Sequence, residues 1–135
     1  MGKRITQQAR GKGSLTFRVR PRAYRYKVSY PKLNSNGEGK IVKLFNSSAH
    51  SCPLIKVAIG DEDFIVPAAS GVYEGQDIWV GKRAENKEAL IGDILKLNDI
   101  AQGVKVFNIE IVPGKGGKIL RSSGISGAAM LRRLT

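Results

Sequence analysis

The positive charge of this chain is concentrated at its two ends, and that segregation limits what can fold. Residues 1–37 hold ten basic residues and no acidic one: Lys3, Arg4, Arg10, Lys12, Arg18, Arg20, Arg22, Arg25, Lys27 and Lys32. Residues 38–112 hold 8 basic residues and all 11 acidic ones, while residues 113–135 hold 5 basic residues and none acidic. The middle has the mixed charge of a folded domain, and the ends read as arms. Ten like charges repel, and the few apolar residues among them do not offset the entropy of ordering the chain. The first arm is therefore not expected to fold alone. A net charge of +12 over 135 residues points to a polyanion partner, nucleic acid first and an acidic membrane surface second. The arm lacks the bulky apolar face of a membrane-surface helix, which weakens the second reading. Tyr24, Tyr26 and Tyr30 lie among Arg22, Arg25 and Lys27. Such rings stack on unpaired bases while guanidinium groups grip phosphates. Composition alone also allows a plain solvated tail.

Several classes are excluded early. A single cysteine, Cys52, gives no internal disulfide framework. With a single histidine, His50, it does not make an ordinary four-ligand zinc site. No apolar run approaches the roughly 18–20 residues of a membrane span. The opening Met1-Gly2-Lys3-Arg4 is not followed by the apolar stretch of a secretory signal. The baseline expectation is a soluble, reduced, cytoplasmic protein without metal or cofactor.

The middle alternates short β-like runs with turn signals. Asn34-Ser35-Asn36-Gly37 marks a boundary. Strands are predicted at Lys40 to Phe45, Leu54 to Ile59, Phe64 to Val66 and Ile78 to Val80, each rich in β-branched or aromatic residues. Even spacing of short strands favours a small barrel or sandwich. Ala84 to Leu90 has room for a helical turn or two. Val104 to Val112 reads as the clearest strand, with Phe107, Ile109 and Ile111 on one face by two-residue alternation; Val104 and Val106 point the other way, so either both faces are partly buried or a bulge switches the phase. The aromatics of the middle are Phe45, Phe64, Tyr73, Trp79 and Phe107, most of them at core positions.

No catalytic constellation stands out. His50 and Cys52 lie two residues apart in a Ser/Pro-containing loop, and chain proximity does not make a nucleophile and its base. Asp61-Glu62-Asp63 reads as a solvated hairpin tip rather than a magnesium site. Pro113-Gly114-Lys115-Gly116-Gly117-Lys118 has two readings. Its glycines let a backbone approach a phosphate, or it is a hairpin loop with solvated lysines. It is not a Walker loop.

An ordered set of motifs resembles one family. Met1-Gly2-Lys3-Arg4-Ile5 with Gly11-Lys12-Gly13, then Gly39-Lys40-Ile41-Val42, Pro53-Leu54-Ile55-Lys56-Val57, Asn108-Ile109-Glu110 and the Pro113–Lys118 loop followed by Arg121-Ser122-Ser123-Gly124 are similar in order and spacing to the universal large-subunit ribosomal protein "L-two" family, archaeal and eukaryotic type. The resemblance implies an all-β architecture: a basic extended arm at 1–37, a small OB-like barrel at 38–83, and an incomplete SH3-like barrel at 84–135. It further implies a structural role in the cytoplasmic large ribosomal subunit, bound to ribosomal RNA near the peptidyl transferase region and supporting assembly, with no catalysis by the chain itself. By position, the implied RNA contacts are the ten basic residues of the arm, the His50 loop, Lys56, the Lys115–Arg121 loop with Lys118, and Arg132 and Arg133 of the tail. Lys115 stands where the family usually has Asp, which makes that loop more basic.

After Gly124 the likeness fades, whereas the family's chains continue and complete the second barrel. Three expectations stand side by side: a split protein whose second half is a separate chain, a reduced version, or a truncated or misread product. Partners are expected to be ribosomal RNA, neighbouring ribosomal proteins and, on the first reading, that separate chain. A half barrel leaves a strand edge open, so the isolated chain is expected to be marginal and ordered by RNA or by a partner covering the edge beyond Val112. The competing class is a free-standing OB-type RNA-binding module or RNA chaperone, which would present exposed aromatics.

Overall fold

A computed structural model describes residues 2–3, 5–31, 36–82 and 89–130 of the chain. Asn34 and Ser35 of the predicted boundary, and residues 84–88 of the predicted helical turn, lie outside the described residues.

The fold is built on antiparallel strands. All four runs predicted in the middle are strands: β1 (Gly37–Phe45), β2 (Leu54–Ile59), β3 (Glu62–Pro67) and β4 (Asp77–Val80). They form one sheet in the order β3-β2-β1-β4. The nine-residue β1 serves two partners. Its first half pairs with β4, from Gly37↔Val80 to Lys40↔Asp77, and its second with β2, from Lys40↔Ala58 to Phe45↔Leu54. The register slips between Ile41 and Lys43. A bulge of this kind bends a strand and raises its twist, so one long strand can belong to two diverging halves of a sheet. Gly39 sits at the crossing, where an added Cβ would come 2.8 Å from Ile59 Cγ1 and 3.1 Å from Val57 Cγ1. The β2–β3 hairpin turns on Gly60-Asp61, with Gly60 at φ 54 as the first central residue. The acidic run that follows is exposed, as expected of a hairpin tip.

β-Branched side chains fill the interior. Ile41, Ile55, Val57, Phe64, Val66, Ile78 and Val80 form the core cluster, and Tyr30, Ile59, Ala68, Val72 and Ile94 pack against it. Alternation is clear on β3 and β4, where Phe64, Val66, Ile78 and Val80 face inward. The core expectation for the aromatics needs correcting. Only Phe64 is buried; Phe45, Trp79 and Phe107 are half-buried and Tyr73 is 65% exposed. A core this small is filled by aliphatic side chains, and the larger rings lie over its rim.

Both outer strands are partly covered. The Ser29 amide of the arm donates to Ile65 O on β3, at 3.0 Å. Beyond β4, Ile94 N donates to Trp79 O at 2.8 Å and Gly81 N to Ile94 O at 2.9 Å. These contacts blunt edges that would otherwise invite another chain.

The second unit departs from expectation. The predicted strand over Val104 to Val112 is reduced to β5 (Lys105–Val106), paired with β6 (Gly127–Ala128), and an isolated bridge between Ile109 and Ile119. Asn108 interrupts it. Its φ of 52 lies in the left-handed region, which Asn tolerates better than most residues but which no regular strand can pass through. The expected shared face is lost too: Phe107 and Ile109 are half-buried, whereas Ile111 is 68% exposed.

The arm carries a five-residue helix, α1 (Thr6–Arg10), and a 3-10 turn at Leu15–Phe17, neither with a buried residue. Residues 10–22 are exposed throughout. No described helix is long and apolar enough to cross a membrane.

If the bulge register is right, Ile41→Ala removes a fully buried side chain and lowers stability by about 2–5 kcal/mol. Val42→Lys, one residue on and 52% exposed, changes it by less than about 0.5 kcal/mol. Urea midpoints of the two variants check this; equal losses would refute the register.

Candidate nucleic-acid interface

The arm's root is locked to the rest of the protein by Tyr30. Its ring lies against the core of the first sheet, and its hydroxyl donates to Asn108 O at 2.6 Å. Asn108 Nδ2 donates back to the Tyr30 oxygen at 3.0 Å. Burial pushes the phenol up to about 12; the Asn108 hydrogen bond and the Arg121 charge oppose the rise, and Glu110 adds to it. Tyr30 is therefore a buried strut and not the base-stacking ring that its place in the arm suggests. Asn108 is itself 3% exposed, and its Oδ1 has no hydrogen-bond partner. The backbone of Gly117 packs against that oxygen, leaving no room for a Cβ.

The same region gathers His50 and Arg121, which are far apart in sequence. Cys52 Sγ donates to Arg121 O at 3.4 Å, and Ser123 N donates to Ser51 Oγ at 3.3 Å. His50 Nδ1 lies 3.0 Å from Ser47 Oγ, and its ring meets Tyr24 edge-on at 6.2 Å. Partial burial, and then the positive charge of Arg121, hold the imidazole below its ordinary pKa, so it is neutral at pH 7. Cys52 is a buried packing residue, as expected.

Beside this cluster runs a groove of about 660 Å³ between the arm and the turn after β1. Arg22, Arg25 and Tyr26 line it from the arm, and Asn46, Ser47 and Ser48 line it from the turn. Tyr26 leans on Phe45 with centroids 4.6 Å apart, and the Arg25 guanidinium lies 5.8 Å from the Tyr26 ring centre. Sequence reasoning treats Asn46-Ser47-Ser48 only as a strand breaker. Its nearness to the arm depends on where the arm docks, and no local pattern announces it.

The glycine loop follows the second expectation, a hairpin loop with solvated lysines, and not the open phosphate cradle. The Glu110 carboxylate accepts Gly114 N at 3.0 Å and Gly116 N at 2.7 Å. The loop's amides are thus turned inward onto the chain's own anion, and Gly114 and Gly116 adopt the positive φ that this requires. Lys115 and Lys118 remain exposed, so the loop presents ammonium groups rather than an open backbone cradle.

The remaining predicted contacts are dispersed. Lys3, Arg10, Lys12, Arg18, Arg20 and Lys27 are exposed along the arm. Lys56 is ion-paired with Asp63 across the β2–β3 hairpin and is not part of the groove lining. Arg4, Lys32, Arg132 and Arg133 lie outside the described residues.

Fold and surface together define a small β scaffold with an exposed cationic arm and a basic, aromatic-lined groove, a class suited to polyanions. No family model matches the chain. Among curated proteins it is similar to large ribosomal subunit protein uL2 of Hyperthermus butylicus, 41% identical over 127 residues, which is 92% of this chain and 52% of that protein. The uL2 proteins of Korarchaeum cryptofilum and Methanococcus maripaludis are 39% and 37% identical, again across 92% of this chain, with 51% and 53% of their own lengths covered. The chain is thus a sequence relative of the uL2 proteins along nearly all of its length, as the motif order suggests. It spans about half the length of the curated relatives it matches.

Removing the Tyr30 hydroxyl tests the lock. Tyr30→Phe keeps the packing but leaves Asn108 Nδ2 without its acceptor, for an expected loss of about 1–3 kcal/mol. The folded pKa of about 12 lies above the ordinary 10, so this contribution is whole below pH 10 and fades between pH 10 and 12, where the unfolded chain releases its proton first. Urea melts at pH 8 and pH 11 should show the variant and the parent converging as pH rises. A constant gap would argue against the buried phenol.

Proposed function

We propose that this chain acts as a structural constituent of the large ribosomal subunit, bound to ribosomal RNA and supporting assembly near the peptidyl transferase region. Its partners on this reading are that RNA and neighbouring ribosomal proteins, and its role is not catalytic. The observation that carries the proposal is the continuous similarity to uL2 proteins over 92% of the chain. The segregation of charge supports it: an acid-free exposed arm is attached to a folded middle that holds every carboxylate. Phosphate neutralisation by such an arm releases counterions and gives affinity without demanding a fixed arm conformation.

The proposed division of labour takes the basic residues by their place in the chain. Lys3, Arg4, Arg10, Lys12, Arg18, Arg20, Lys27 and Lys32 contact phosphates along the arm. Arg22, Arg25, His50 and Arg121 act at its root, and Lys115 and Lys118 act from the glycine loop. Lys56 contributes only when RNA competes with Asp63. The proposed domain limits remain 1–37, 38–83 and 84–135, the latter two as an OB-like barrel and a partial SH3-like barrel.

A second reading, the free-standing RNA-binding module, gains from the exposure of Tyr24 at 68% and Tyr73 at 65%. Sedimentation separates the two. Probed in a native extract, the chain should travel with the large subunit and stay there through a moderate salt wash. Migration free or with small RNA would favour the module.

Binding to a ribosomal RNA fragment should weaken with salt on a log–log slope of roughly −5 to −9, if most of the arm's charges meet phosphates. A nearly flat plot would refute phosphate contacts as the main source of affinity. Changing Lys115, Lys118 and Arg121 together to Ala should weaken that binding without altering the far-ultraviolet circular dichroism; unchanged binding would remove the loop from the interface.

A further inference from the structure

We propose that the groove between arm residues 22–26 and the turn after β1 is a binding site for one unpaired nucleotide of RNA. The inference rests on the RNA-binding reading and sharpens it, because it assigns base recognition to one place on a largely cationic surface.

Three kinds of group converge there. Arg22 and Arg25 supply guanidinium groups for a phosphate. Tyr26 supplies a stacking shelf: it leans on Phe45 and carries the Arg25 guanidinium over its ring, so a base stacks there by taking the place of that guanidinium. Asn46, Ser47 and Ser48 supply a neutral amide and hydroxyls on the opposite wall, the groups that pair with a base edge or a 2′-hydroxyl. Among the described residues, no carboxylate lines the groove. Its volume of about 660 Å³ falls within the roughly 300–1,000 Å³ of ordinary ligand clefts. A free phosphate would leave the shelf and the amide unused. A duplex would bring phosphates but keep its bases stacked away from the shelf.

The backbone adds a separate indication. Ala23 N donates to Arg20 O at 3.1 Å, closing a tight turn, and Arg22 occupies the third position of that turn with φ 64. That position is comfortable for glycine and strained for arginine. Strain of this kind collects at binding sites, where the side chain has work that a relaxed residue would not do. It also supplies a clean variant, because Arg22→Gly removes the guanidinium while relaxing the backbone.

The test uses the full chain and two fluorescent RNA probes of equal length, one single-stranded and one a blunt duplex, followed by anisotropy at fixed salt. The parent protein should prefer the single strand. Asn46→Ala, at an exposed position, should lower single-strand affinity by about tenfold and change duplex affinity by less than about twofold, whereas Arg22→Gly, which also removes a phosphate contact, should weaken both probes with the larger loss on the single strand. Parallel losses on both probes, or no preference in the parent, would overturn the nucleotide site while leaving the ribosomal RNA reading intact. Absence of binding to either probe and to a ribosomal RNA fragment would overturn both.

Discussion

The reciprocal hydrogen bonds between Tyr30 and Asn108 bring three parts of the molecule to one point. Tyr30 belongs to the end of the arm, its ring rests on the first sheet, and its hydroxyl reaches the second unit. The bond is shielded, so a partner lost on either side leaves a buried polar group uncompensated. Asn108 accepts and donates there from a backbone that has left the strand conformation, so the break in the predicted strand and the fixing of the arm meet at one residue. The charges of Glu110 and Arg121, both felt by the Tyr30 phenol, lie around the same point.

From that anchor the electrostatics of the surface follow. The chain neutralises its own carboxylates selectively. Glu110 is spent on the glycine-loop amides and Asp63 on Lys56, while the lining of the groove, among the described residues, holds no acid. Lys115 and Lys118 stay exposed. The cationic surface is thus a product of folding as much as of composition: the fold places internal anions where they organise backbone and withholds them from the arm.

What could be read in the sequence was what local pattern decides. Runs such as Leu54 to Ile59 and Ile78 to Val80 lie between turn residues, and β-branching settles their strand form whatever surrounds them. The run from Val104 to Val112 has an equally good pattern and fails at Asn108, whose left-handed backbone no strand allows and whose carbonyl and side chain meet Tyr30, 78 positions away. Tyr26 and Tyr30 look alike in the arm's composition, yet one lines a groove and the other is a strut. The Gly114 and Gly116 amides looked available until Glu110 was seen to fill them. Of the groove, Arg22 and Arg25 were legible as basic residues, but Asn46, Ser47 and Ser48 were not, since only docking of the arm makes them neighbours. The Glu110 contacts span only four and six residues and depend on the curl of the loop, whereas the other misses are contacts across large sequence separation, which a window of residues does not contain.

The anchoring of the arm at Tyr30 also has a kinetic meaning. A cationic segment tied to a folded body at its root presents its charges to any polyanion already held by that body at an effective concentration set by the tether, not by the solution. Once the groove is engaged, each arm contact that lets go is close to its site and returns before the protein diffuses away. Contacts that are individually weak and salt-labile then combine into a long residence time. On such a surface, loosening the root would shorten the bound lifetime without touching a single residue that meets the ligand.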